Sequence, residues 1–556
     1  MKAGHFMLSH VRAGILALAS LACIASPSGA TAADYSRPRV VITADPELDD
    51  NNTIIRAILY SSDVELEGLV YAGSQFHWRG DGKGTTQYIP GQEYTRLGLC
   101  PCTSWRFAPG EHFIDNIVDA YAKVYRNLRV HDPHYPRPSE LKAKIKWGNV
   151  DFDGDFSRVT AGSELIRSLL LDDRPGPLYV TAQGGESTIA RALKSIHDEY
   201  AGTPRWEAIR SKVSRKLIII PSGDQDGTDA SYIRPNWPEV REYAFSGINY
   251  AYGAQDSAAP EDKVYYSPEW TRANVSSRGA LGALYRVWGD GRQMVKGDRT
   301  DYFGLSDYSA EQLKAMGYMV WTPPQAQGSF LGEGDTPTFI NLVANGLRAY
   351  VDPHWGGWGG WAAPVIEGFS PFGPPPPPLP PDTSGVARGL APAGSDANRL
   401  QAQAAEMRPS AFPAFKAPVV PPHAVATAAR LLAAAQNDFA MRLKWSVTPR
   451  YRGANHPPVV GIKGPLTLSA SPGSTVQLQG EVSDPDHDQV RVMWWQFNAA
   501  GTYPGDVALS DPAALATTFT VPADARPGQT ISVVLEATDT GVPAATRYQR
   551  VLVTVR

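Results

Sequence analysis

The stretch VITADPELDDNNTIIRAILYSS (Val41–Ser62) runs from an apolar strand into an apolar helix. Four acids, Asp45, Glu47, Asp49 and Asp50, crowd six positions between them, with nothing basic among them. Like charges at this spacing repel. Asp49 and Asp50 fall where a helix begins, and carboxylates there accept bonds from free N–H groups and favour the positive end of the helix dipole. Asp45 lies at the strand end, outside that explanation. A hard divalent cation such as calcium, which gathers several carboxylate and carbonyl oxygens, would account for the whole group. The residues alone leave both readings open, capping acids or a cation site.

Outward from this stretch, strands and helices alternate as far as about Tyr252. PRVVITAD, VELEGLVYAGS, PLYVTAQ and KLIIIPSGDQD read as strands. HFIDNIVDAYAKVYRNL, SELIRSLLL and STIARALKSIHDEYA carry apolar residues at helical spacing. This grammar predicts an α/β fold, a mostly parallel sheet with helices on both faces. Ligands of such sheets bind beyond the carboxyl ends of the strands. The acidic loop, Ser74 in GSQ, Gln183 in AQGG and Asp226 in SGDQD all fall at ends of that kind, so they can converge. Asp226 is a candidate substrate contact, and a polar turn explains it equally well.

LGEGDTPTFINLVANGL predicts a Gly-rich turn opening a helix, and HWGGWGGWAAP a flexible Trp-rich segment. Trp358 in that segment is a candidate sugar platform, because flanking glycines leave an aromatic ring room to lie flat; packing is the competing role. About 370–421 is Pro/Ala/Gly-rich and reads as an insertion. AVATAARLLAAAQNDFAMRLKW resumes as one helix, giving an α/β domain over 33–450. From 455 to 556 short alternating strands separated by turn residues suit an immunoglobulin-like sandwich. Asp484, Asp486 and Asp488 in its SDPDHDQV read as turn builders or as calcium ligands.

The chain has 556 residues, 43% of them hydrophobic, enough to bury a full core. Lys2 and Arg12, the apolar run Gly14–Ala25 and the small residues Ala30-Thr31-Ala32 make residues 1–32 a secretory signal peptide, with a secreted or periplasmic product. That segment holds two basic residues and no acid, so its loss moves the formal charge from −4 to −6. Mild acidity argues against a nucleic acid polymer as partner. No later run is apolar for the ~20 residues that span a bilayer. Cys100 and Cys102 are the cysteines left, too close together to staple a fold.

DPELDD resembles the aspartate signature of calcium-dependent nucleoside hydrolases. TADPELDD, AQGGESTIARAL, SGDQD, EGDTPTF, GGWGG, QNDFAMRLKW and ANHPP together resemble, in order, an exported bacterial family described as cellulose-binding proteins. That family joins a nucleoside-hydrolase-like domain to a C-terminal sandwich. The resemblance implies a glycosidic-bond hydrolase, or a carbohydrate-binding protein that keeps the metal cage, with a sugar-containing small molecule or polysaccharide as partner. It implies Asp45 as calcium ligand and general base, Asp50 as calcium ligand, a carbonyl ligand at Gln183 and a distant ligand at Asp335. Asp49 and Ser74 fall where sugar hydroxyls are gripped. The chain departs from the hydrolases at Thr43, usually an aspartate, at Glu47, usually a glycine, and at Gly334, commonly a histidine. The metal half of the site is kept and the nucleoside half rebuilt, which points away from a ribonucleoside.

Overall fold

The computed structural model describes residues 37–96, 98–362, 383–387, 389–395 and 422–556; the expected leader and most of the Pro/Ala-rich stretch lie outside them. Six parallel strands form the central sheet: β1 (Arg39–Ala44), β2 (Glu65–Tyr71), β3 (Ile145–Trp147), β4 (Leu178–Ala182), β5 (Leu217–Pro221) and β6 (Arg241–Glu242). Their order is β3-β2-β1-β4-β5-β6, so the direction of winding reverses between β1 and β4. A crevice opens beyond the strand ends at such a reversal.

Burial on both sides follows from side-chain alternation along each strand. Val40, Ile42 and Ala44 of β1 face α1 (Leu48–Leu59), α2 (Phe113–His131) and a later helix, while Val41 joins Val70, Val180 and Ile219 on the opposite face. There they meet Ile166 and Leu170 of α3 (Ala161–Leu171) and Ile189 and Leu193 of α4 (Ser187–Tyr200). The later helix, α5 (Pro422–Val447), is the single helix expected, and its Leu431, Ala435 and Phe439 sit in the first cluster.

Two expectations for the middle of the chain are corrected. LGEGDTPTFINLVANGL forms only a short turn of helix, Pro337–Ile340, before the chain turns at Asn345 and Gly346, the latter with φ of 92°. A Cβ at Gly346 would lie 1.7 Å from the Tyr548 carbonyl oxygen, so the backbone approach itself requires glycine. The Trp-rich segment is anchored: Gly357 and Gly360 exchange backbone bonds, and Trp358 is wholly buried. Part of the Pro/Ala-rich region is described, and its Leu390–Ala391 pairs with Thr86–Gln87. Cys100 and Cys102 are disulfide-bonded.

The C-terminal region is all-β. β7 (Val459–Ile462), β9 (Thr475–Ser483) and β11 (Ala516–Thr520) form one antiparallel sheet. β8 (Thr467–Ala470), β13 (Thr546–Val555), β12 (Thr530–Asp539) and β10 (Val490–Gln496) form the other. Between them lie Leu478, Trp494, Phe519, Leu535 and Val553. The neighbouring Trp495 faces away from this core and packs on Phe497 and under Arg430 of α5. The described residues form one compact unit.

Candidate active site

The β1–β4 crevice is where the acids meet. Asp45 follows β1 directly, and its N–H donates to Asp50 Oδ1 at 3.1 Å, closing the loop on itself. Glu47 stands at the N-cap of α1 and makes no capping bond. Asp49 accepts from the Tyr252 hydroxyl at 2.9 Å and from the Gly334 N–H at 3.1 Å, groups some 200 and 285 residues away in sequence. Tertiary partners thus claim these carboxylates, and helix capping does not account for them.

The other strand ends complete the arrangement. Ser74, three residues beyond β2, donates from Oγ to Asp45 Oδ2 at 2.5 Å. Gln183, just past β4, donates its N–H to the Thr43 carbonyl, and its own carbonyl accepts from Gln225 Nε2 at 3.1 Å. Gly184 lets the backbone approach Asp45 closely, since a Cβ there would stand 3.0 Å from Asp45 Oδ2. Asp335 lies in the turn before Pro337, buried, with its carboxyl against Asp50 and Ser222. The predicted set Asp45, Asp49, Asp50, Ser74, Gln183 and Asp335 is therefore gathered in one place.

Electrostatics here are unfavourable for bare carboxylates. Burial first, and then the neighbouring charges, push Glu47, Asp50 and Asp335 well above the ordinary range. Burial raises Asp49 to about 6 despite the bonds from Tyr252 and Gly334. Arg106 acts on Glu47 by charge, but its guanidinium is bonded to Glu93 and Asp298. Asp45 Oδ1 is buried and accepts no hydrogen bond; His77 Nδ1 lies 3.1 Å away but outside bonding geometry. Ligand atoms of Asp45, Glu47 and His77 lie within 4.8 Å of one another, as do those of Glu47, Asp49 and Asp50. An orphaned buried oxygen in a mostly oxygen donor set fits a hard cation, with Asp335 adjoining through Asp50.

The profile for "Cellulose-binding Sde182, nucleoside hydrolase-like domain" matches residues 39–361, and that for the C-terminal domain of cellulose-binding protein Sde0182 matches 475–555. The chain belongs to the cellulose-binding Sde182 family. Among solved structures it is similar to a nucleoside hydrolase-related hypothetical protein from Saccharophagus degradans, described as associated with carbohydrate metabolism. The TM-score is 0.61 at 22% identity, over 94% of this chain and 100% of that one, a likeness of fold. No curated protein matches.

Two candidate contacts in this Sde182-family chain are engaged in other bonds or packing. Asp226 is buried and its carboxylate is already used: Oδ1 accepts from the N–H and hydroxyl of Thr228, and Oδ2 from the Ser187 N–H at the start of α4. It caps the helix, and Gly185 is bare to make room, since a Cβ there would fall 2.2 Å from Asp226 Oδ2. Trp358 is no sugar platform. Its ring is 0% exposed, edge-on to Tyr548 and beneath Arg547, at the seam with the sandwich. The Asp484 carboxylate builds the turn, with Oδ1 accepting from the N–H groups of Asp486 and Asp488. The ligand atoms of all three lie within 4.8 Å of one another, so the turn and the cation readings both stand.

Sequence reading missed His77 and Tyr252. His77 comes from the β2 loop, where it follows GSQ by two positions with no ligand-type spacing to other histidines. Tyr252 arrives from a loop remote in sequence, so only the fold brings its hydroxyl to Asp49. Thr43 holds the sheet together, donating from Oγ1 to the Thr181 carbonyl. Among the described residues no helix is long and apolar enough to cross a membrane.

Proposed function

We propose that the chain is an exported, calcium-dependent hydrolase acting on an N- or O-glycosidic bond of a sugar-containing substrate. The observation that supports this best is the group of buried Asp45, Asp49, Asp50 and Asp335 with half-buried Glu47, gathered at the strand ends and, among the described residues, without an ion-paired lysine or arginine. Asp45, Asp50, Asp335 and the Gln183 carbonyl would hold calcium. When bound, calcium lowers the pKa of a water and orients vicinal sugar hydroxyls.

The protein's own residues then have defined tasks. Asp45 takes a proton from the attacking water on its free Oδ1, while Ser74 fixes the carboxylate through Oδ2. Asp49, at the position where the resembled hydrolases grip sugar hydroxyls, would accept one on the lone pairs left beside Tyr252 and Gly334. The water oxygen bonds to the anomeric carbon as the bond to the leaving nitrogen or oxygen breaks, and the departing atom takes up a proton. Carboxylates around the crevice stabilise the positive charge that develops on the ring. Export rests on the basic and apolar pattern of residues 1–32.

A second reading is a carbohydrate-binding protein without turnover. Glu47 favours it, since it is half-buried, accepts from the Tyr252 hydroxyl and stands where the resembled hydrolases usually have a glycine. Calcium titration of chelator-stripped protein beside Asp50→Ala tests the cage; a binding step in both would remove Asp50 from it. Sugar release from nucleosides and plant-wall oligosaccharides, compared with Asp45→Ala, tests turnover. Release that survives the substitution overturns the mechanism. Binding of saccharide without release in the wild type supports the second reading.

A further inference from the structure

We propose that Trp321 is a stacking platform for a pyranose ring of a saccharide chain whose neighbouring sugar lies at Asp49. This rests on the saccharide reading above and extends it to an oligomeric substrate. Trp321 is 53% exposed, although it packs on an aromatic cluster that includes Tyr252 and Phe303. Its ring meets Tyr252 edge-on at 5.2 Å and Phe303 at 5.4 Å. Tyr252 in turn stacks on Phe303 at 4.9 Å and hands its hydroxyl to Asp49 and Glu47. One side chain therefore links the exposed indole to the carboxylate placed to grip a sugar hydroxyl.

Trp321 is also held in place. The Tyr302 hydroxyl donates to the Thr322 carbonyl at 2.6 Å and accepts from the Thr322 N–H at 2.9 Å, pinning the residue next to it. Pro323 follows, which restricts Thr322 to extended backbone. Phe303, beneath, is packed between Tyr302 and Trp288. A large apolar ring is thus fixed with much of its surface in water, one side chain away from Asp49. Its cluster neighbours Phe303 and Trp288 are buried, and Trp321 alone of the three offers a ring to solvent. Pyranose rings with equatorial hydroxyls present flat faces of C–H groups, which suit a rigid aromatic surface, while their rims supply hydroxyls to carboxylates such as Asp49 and Glu47. A short, β-linked glucan offers both.

Isothermal titration of the calcium-loaded full chain with cellotetraose tests this, using Trp321→Ala, Trp321→Phe and wild type. Trp321→Ala is expected to weaken binding at least tenfold, with Trp321→Phe retaining most of it. The calcium titration is expected to be the same in all three, which shows that the variants fold and that the cage is intact. Equal cellotetraose affinity in wild type and Trp321→Ala overturns the proposal. So does a wild type that takes up calcium and binds no cellotetraose. The readout is binding, so an absence of sugar release would count against the hydrolase reading alone.

Discussion

Asp50 separates a cation cage from an ordinary cluster of polar residues, because asparagine keeps its shape and removes its charge. Buried among Asp45, Asp49 and Asp335, the carboxylate is repelled where no cation compensates it. In chelator, Asp50→Asn is therefore expected to match or exceed the wild type in thermal stability. With calcium at a hundred times its dissociation constant, the wild type gains about 2.7 kcal/mol through binding to the folded state, and the variant loses most of that gain. Melting curves with chelator and with calcium check the reversal of order. An unchanged order would return these acids to a purely structural role. Gly185 makes a steric prediction at the same scale. A Cβ there meets Asp226 Oδ2 at 2.2 Å and the Gly73 carbonyl at 2.6 Å, the first held by the Ser187 N–H and the second by the Gly185 N–H itself. Gly185→Ala is expected to cost about 1–3 kcal/mol by overpacking, read from urea unfolding.

Arg56 shows how elements, rather than residues, hold the site. It lies on α1 beyond Asp49 and Asp50, fully buried, with its guanidinium on both oxygens of Glu333, at 2.5 and 3.1 Å, and on Gln436 Oε1. The face of Phe439 lies 3.8 Å away. This one group ties α1 to the loop bearing Asp335 and to α5. Arg56→Met leaves Glu333 buried and unpaired, an expected loss of roughly 3–5 kcal/mol, whereas Arg56→Met with Glu333→Gln is expected to recover part of it. Denaturant midpoints of the single and double variants measure the difference. Legibility in the sequence divides along the same line. β1, β2, β4 and β5 and helices α1 to α5 carry long apolar patterns and are readable, as are Asp45, next after a strand, and Asp50, in the first turn of a helix. β3 and β6 are three and two residues long, too short for a pattern, and take their strand form from neighbours in the sheet. Asp226 and Trp358 misled because a polar strand end and a Gly-spaced tryptophan look alike whether they face a ligand or a packed seam. His77, Tyr252 and Trp321 are placed by tertiary contacts that no local pattern records.

At the scale of the whole molecule the sandwich is built into the α/β core. Arg550 donates to the carbonyls of Trp355 and Gly356, Arg547 pairs with Asp438 of α5, and Tyr548 covers Trp358. A second contact runs through two histidines. His131, the last residue of α2, bonds to the Thr448 carbonyl through Nε2 and shares a 2.9 Å hydrogen bond between its Nδ1 and Nε2 of His456. His456 in turn faces Asp486 of the sandwich, and Trp445 and Tyr451 stack on it. Burial lowers the pKa of both imidazoles, outweighing the pull of Asp486 and Asp484 on His456 and of the Thr448 carbonyl on His131. The unfolded chain, with histidines near 6.5, then binds protons more readily than the folded one. The stability they contribute is full above about pH 6.5 and is lost as pH falls through the lower folded-state values. Each histidine adds at most about 1.4 kcal/mol per pH unit to that slope. Melting temperatures between pH 7.5 and 5 are expected to fall less steeply in His456→Gln, which replaces a titrating ring by a neutral donor and acceptor, than in the wild type. Equal slopes would mean that the clasp between helix and sandwich keeps its protons unchanged on unfolding.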